Sequence, residues 1–141
     1  MAFSGYLLKI GTGNSAVEFP MKYIEAESFK STPNQRMEQK ANRNGRGVLV
    51  RVTLAHTPYK VEFNTIDGLD NVQVKEINTL IQNHYTVPKE RKLTITYYDN
   101  EMDTYKTANV YCPDVEYNIQ RIDKEHNKVI YKSLRYAFIE Y

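Results

Sequence analysis

The chain has 141 residues, 41% of them hydrophobic and 26% charged, with a formal net charge of +2. That length suits one domain burying about two-thirds of its unfolded surface, and so small a charge excludes a nucleic-acid footprint spread over the whole molecule. Cys112 is the sole cysteine, which rules out an intramolecular disulfide and fits a reducing compartment or a disulfide-free particle.

Residues 1 to 20 place Lys9 and Glu18 among short alternating pieces, so neither a signal peptide nor a membrane anchor is expected there, and the chain reads as cytoplasmic in origin. SGYLLKI reads as a strand ending at the turn Gly11-Thr12-Gly13-Asn14, and AVEF returns as its hairpin partner. Pro20 interrupts, MKYIEAESFK resumes an extended course, and Pro33 opens a polar, basic stretch that Asn44-Gly45-Arg46-Gly47 closes. Residues 33–47 are therefore expected to be a long inter-strand loop.

Two alternating runs follow. Val48, Val50, Val52 and Leu54 share one side, with Arg51 and Thr53 on the other; Tyr59, Val61 and Phe63 alternate with Lys60, Glu62 and Asn64. Separated by His56-Thr57-Pro58, they read as a half-buried antiparallel hairpin. From Asp70 the period changes: Val74, Ile77, Leu80, Ile81 and His84 fall along one helical face. Asp70 and Gln73 fit a capping box, and Pro88 prevents continuation, giving one amphipathic helix over about 70–85. Strands resume with KLTITYY, where Leu93, Ile95 and Tyr97 face inward, then TYKTANVY, DVEYNIQRI and the closing KVIYKSLRYAFIEY. Twelve tyrosines and no tryptophan suit half-buried sheets and subunit contacts. The expected class is mainly β (α+β): an antiparallel sandwich or partly closed barrel with one packed helix.

No catalytic constellation emerges. His56, His84 and His126 are well separated and fit turn and helix-end positions, so no metal is expected. Cys112 precedes Pro113 with nothing adjacent to activate it and reads as a half-buried hydrophobe. Asp99 to Asp103 suggest a calcium loop, but Thr104 and Val110 stand where the template needs glycine and glutamate. Gly11-Thr12-Gly13 lacks the third glycine and following helix of a dinucleotide fingerprint. The expectation is a non-enzyme without cofactor. Charge is unevenly placed: Arg36, Lys40, Arg43 and Arg46 stand against Glu38 alone, whereas acids predominate over residues 99 to 125. Such opposite patches can meet head to tail between identical copies. The basic stretch lacks the aromatic residues that stack bases, so no specific nucleic-acid recognition is expected.

SGYLLKIG, ESFKSTPNQR, TPYKVEFNT, KERKLTITYYDNEMDTYKT and YAFIEY together resemble a family of small proteins encoded by phages and prophages of Gram-positive bacteria. The resemblance runs over essentially the whole chain, 1–141, as a single tail-tube-like domain. It implies a structural virion protein of the tail, assembled in the host cytoplasm. The protein would form a ring, of six copies by analogy, at the distal tail or baseplate hub, joining the tail tube to tip proteins. Implied partners are other copies of itself and the tail-tube, tape-measure and tip proteins, with no membrane. By position, residues 33–47 match the long loop that reaches a neighbouring subunit in such rings, while the second domain of many distal-tail proteins is missing. Expected interface residues are Arg36, Lys40, Arg43, Arg46 and Arg51, with Asp99, Glu101 and Asp103 as acceptors. A tail-completion or head–tail connector protein, and a monomeric carbohydrate-binding module, are the alternatives.

Overall fold

A computed structural model describes residues 3–36 and 38–141. In chain order the elements are β1 (Leu8–Ile10), β2 (Val17–Glu18), β3 (Lys30–Thr32), β4 (Glu38–Arg43), β5 (Leu49–Thr53), β6 (Lys60–Asn64), β7 (Leu69–Asp70), α1 (Asn71–Gln82), β8 (Tyr85–Val87), β9 (Lys92–Asp99), β10 (Thr104–Tyr111), β11 (Ile119–Asp123), β12 (Lys128–Tyr131) and β13 (Arg135–Glu140). Short 3-10 turns punctuate them. The fold is mainly β with one helix, as the alternating runs require.

The principal sheet is antiparallel and runs β2-β1-β9-β10-β13-β6-β3, with β8 beside β9. Its backbone is the β9–β10 hairpin, whose eight paired positions run from Thr104 opposite Asp99 to Tyr111 opposite Lys92. Strict alternation on β9 sends Leu93, Ile95, Tyr97 and Asp99 inward. The sheet curls without closing. Phe19, just past β2, meets Phe63 of β6 with ring centroids 5.1 Å apart, and Tyr59, just before β6, stacks on Tyr97 of β9 at 3.6 Å. Opposite ends of the strand order thus share one core. Among the described residues no ladder joins β2 to β3, so the barrel stays open.

The helix α1 starts where the pattern places it. Asp70 accepts from the Gln73 backbone N–H at 2.9 Å, and the Gln73 side chain accepts from the Asp70 N–H at 3.1 Å, which completes the capping box. Val74, Ile77 and Ile81 are buried, and a fully buried side chain such as Ile77 is worth about 1.5–3 kcal/mol. The helix ends at Gln82, so His84 lies beyond it. Its Nδ1 contacts the Leu80 carbonyl at 2.8 Å and its Nε2 the Ser15 carbonyl at 3.1 Å, pinning the turn after β1 to the helix end. Gly11 makes that approach possible: at φ +101° a Cβ there would sit 2.4 Å from the His84 ring. A small sheet, β11-β12-β7, flanks α1.

Three expectations are corrected. β5 does not pair with β6; it pairs with β4, and both strands are exposed rather than half-buried. Residues 33–47 are consequently not a long loop but mostly the first strand and turn of a two-stranded ribbon. The physical reason is that a polar run with both faces in water has no apolar period to reveal a strand, yet its backbone still satisfies itself by pairing. Met37, within that expected loop, and Met1 and Ala2 lie outside the described residues. The strand expected over DVEYNIQRI also begins later, at Ile119, because residues 112–118 follow an irregular course.

Candidate subunit interface

The β4–β5 ribbon is an arm. Its register sets Arg43 opposite Leu49, Ala41 opposite Arg51, Asn42 opposite Val50 and Lys40 opposite Val52, and its substantial contacts are between its own two strands. Cross-strand partners share a face, so Lys40 and Asn42 lie with Val50 and Val52, while Arg43 and Arg51 lie with Leu49 and Ala41. Alternation adds Val48 and Leu54 to the valine side. The turn is built by Asn44, whose Oδ1 accepts from the Arg46 N–H at 2.9 Å and the Val48 N–H at 3.1 Å. Gly47, at φ +79°, supplies the left-handed step that lets Asn44 N–H reach the Val48 carbonyl at 2.9 Å. Arg43 also donates to the Gly47 carbonyl at 2.9 Å.

The foot of the arm is tied on both sides. The Gln35 N–H donates to the Pro58 carbonyl at 3.0 Å, and His56 Nε2 lies 2.8 Å from the Tyr141 carbonyl and 3.2 Å from Glu140 Oε2. Asn34, in the left-handed region at φ +55°, turns its amide into the end of the β9–β10 hairpin. There Asp99 is fully buried. Its Oδ2 takes Lys106 Nζ at 3.0 Å and Asn34 Nδ2 at 3.1 Å, and its Oδ1 takes the Glu101 N–H at 2.9 Å. Lys106 also donates to Asn34 Oδ1 at 3.0 Å, so lysine, amide and carboxylate form a closed triangle. Burial opposes the charge on Asp99, but the Lys106 and Asn34 hydrogen bonds, the Glu101 N–H and the lysine's charge outweigh it and hold the carboxyl below its ordinary value. Ser31 on β3 hydrogen-bonds Asn100 beside this triangle.

The expected interface residues therefore separate. Lys40, Arg43, Arg46 and Arg51 ride on the exposed arm, distributed over both faces and the turn. Arg36 stands at the foot, donating to the Asn34 carbonyl at 2.6 Å. Asp99 is withdrawn from the surface into the triangle. Glu101 accepts from Asn34 Nδ2 at 3.3 Å. Asp103 accepts from the Phe3 N–H at 3.1 Å and the Tyr98 hydroxyl at 2.7 Å. Asp99 and Glu101 thus meet Asn34 at the arm's own foot, while Asp103 ties the N-terminal segment to β9 within the same chain. The candidates that sequence reasoning missed are apolar: Ile119 and Ile122 on β11 are exposed, and although DVEYNIQRI reads as a strand, its alternation does not show that both isoleucines face solvent.

No group of three or more metal-ligating side chains gathers among the described residues, and none of their helices is long and apolar enough to cross a membrane. A cavity of about 240 Å³ between α1 and the segment after β10 is lined by Tyr85, Arg91, Cys112, Tyr117 and Tyr136. Its hydroxyls and amides are largely spent on one another: Tyr136 donates to Asn78 at 2.8 Å and Asn78 to Tyr117 at 3.0 Å. Burial pushes the Cys112 thiol up to about 11, and this outweighs the opposing pull of Arg91.

Among curated proteins, none matches the chain in sequence. Among solved structures, it is similar to a chain from the tail of an empty GTA particle refined with helical C6 symmetry. The likeness has a TM-score of 0.52 at 9% identity and covers 99% of this chain and 95% of that one. At that identity the likeness speaks for the fold, and it extends over nearly the full length of both chains. The model of a family of unknown function, DUF6711, matches residues 1–141, and the protein belongs to that family.

Proposed function

We propose that this protein is a structural component of a phage-like tail, with no catalytic role, and that residues 1–141 act as one tail-tube-like unit. Copies join in a ring, of six by analogy with the C6 neighbour, at the distal end of the tail, where the ring couples the tube to tip proteins. The observation that carries this reading is the full-length likeness to a chain of a C6-symmetric tail. The exposed arm supports it, because a lone two-stranded ribbon is marginal in water and needs a neighbour to cover it. The open sheet supports it too, since assembly covers edges that a monomer leaves available. The assignment to phages of Gram-positive bacteria rests on the resemblance of the sequence motifs.

The test uses purified particles of a phage or prophage encoding the chain. Mass spectrometry should find the protein in them, and a cryo-EM map should show it as a ring at the tail end. Replacing residues 38–53 by a short Gly-Ser linker should leave a folded monomer that no longer enters particles. Absence of the protein from purified particles overturns the proposal, and density at the head–tail junction would reassign it as a connector.

A further inference from the structure

The arm carries an apolar stripe that is exposed among the described residues. Val50 is 48% exposed and Val52 45% exposed, with Val48 and Leu54 continuing the line. A second exposed apolar surface lies on the β11–β12 ladder. Its register sets Ile119 opposite Tyr131 and Ile122 opposite Val129, with a bulge between Ile119 and Arg121. That bulge brings two isoleucines three residues apart onto one face, because Tyr131 and Val129 are themselves two apart. The opposite face carries Ile130, which is buried. Ile119 is 52% exposed and Ile122 67% exposed, so their face is turned to solvent.

Charge distinguishes the two surfaces. The arm from Arg36 to Leu54 holds five basic residues against Glu38. The stretch from Asp114 to Glu125 holds four acids against Arg121 and Lys124, and Glu116 and Glu125 are exposed. The acids of the β9–β10 turn are already engaged within the chain, Asp99 and Glu101 by Lys106 and Asn34 and Asp103 by Tyr98 and the Phe3 N–H.

We propose that the valine face of the arm packs on the Ile119–Ile122 face of a second copy of this chain, and that this is the contact which propagates the assembly. One copy donates the arm and accepts the next copy's arm elsewhere on its surface. Such a heterologous contact generates a ring when the rotation closes and a filament when it does not. Apolar burial supplies the affinity, and the basic arm against the acidic β10–β12 segment sets the orientation. The inference rests on the self-assembly proposed above and specifies its surface.

Mixing variants that each add one cysteine tests the contact between copies and nothing within one chain. Val50→Cys protein mixed with Ile122→Cys protein is treated with a short bis-maleimide, and the mixture is compared with Val50→Cys plus Lys89→Cys. Native Cys112 is buried in all three, and burial raises its pKa and so disfavours the thiolate that adds to a maleimide. The expected result is cross-linked dimer on the order of tenfold above the Lys89→Cys control. Ile122→Glu should keep the monomer folded, since the site is exposed, and raise the concentration needed for association about tenfold or more. Equal cross-linking in both mixtures, or none while the unmodified protein still assembles, overturns this contact and leaves the ring standing. A protein that stays monomeric at every concentration and in particles overturns both.

Discussion

Asp99 ends the central strand of the sheet with a carboxylate removed from water and three donors arranged around it. Removing one member of such a pair leaves the other's bonding unfulfilled, although Lys106 keeps partial access to solvent, which softens the loss. Asp99→Asn is expected to cost about 2 kcal/mol in urea unfolding at pH 7. The pH dependence follows from the direction of the shift. The folded carboxyl lies below its ordinary 3.8, so its contribution is complete above that value and disappears as pH falls through the folded one. The parent should therefore lose more stability than Asp99→Asn between pH 5 and acid; parallel profiles would show that the triangle contributes nothing. Tyr59 makes the opposite case. Its hydroxyl is buried without a hydrogen-bond partner among the described residues. Tyr59→Phe keeps the stack on Tyr97 and should be neutral or stabilising by about 1 kcal/mol, and a clear loss of stability would reveal a partner for that hydroxyl.

At the scale of elements, the arm and the β9–β10 hairpin are built from the same antiparallel pairing and differ in what covers them. β9 and β10 are flanked on both sides and buried on one face, whereas among the described residues β4 and β5 pair as strands with each other alone. Local opening follows burial. Backbone amides of residues 39–52 should exchange hydrogen within seconds to minutes in the monomer, while those of β9 and β10 stay protected. Assembly should slow the arm selectively; equal protection in the monomer would mean the arm is already covered. Sequence reading was uneven here for the same reason. Helix α1 announced itself through Asp70, Gln73 and a buried stripe, all encoded within a dozen residues. The alternation of Val48 to Leu54 was equally plain, but alternation reports a strand and not its partner. β4 has no apolar rhythm because neither of its faces is buried, so the pairing fell to the wrong neighbour.

For the molecule as a whole, the mainly β class with one packed helix was legible because inward positions such as Leu93, Ile95, Val61 and Phe63 keep a period of two. The curl that brings Phe19 to Phe63 was not, since it depends on contacts between residues far apart in sequence. The candidate interface was legible in charge but not in position. Composition marks basic and acidic stretches, yet only the fold shows that Asp99 turns inward, that Glu101 meets Asn34 at the arm's foot, that Asp103 holds the N-terminal segment, and that a bulge aligns two isoleucines.

The triangle of Asn34, Asp99 and Lys106 also decides how the molecule bears load. The arm leaves the body just past β3, an edge strand paired on one side only, and an edge pair pulled at its end unzips one bond at a time. Asn34 and Ser31 divert that traction to the turn between β9 and β10. That hairpin lies in the middle of the sheet, with β1 and β13 on its flanks. A pull on the arm is therefore passed to both strands of that hairpin at once, which must slide together against β1 and β13 before either ladder yields. Cutting Asn34 out of the triangle would leave the resting fold nearly as it is and turn a tether that shears into one that peels.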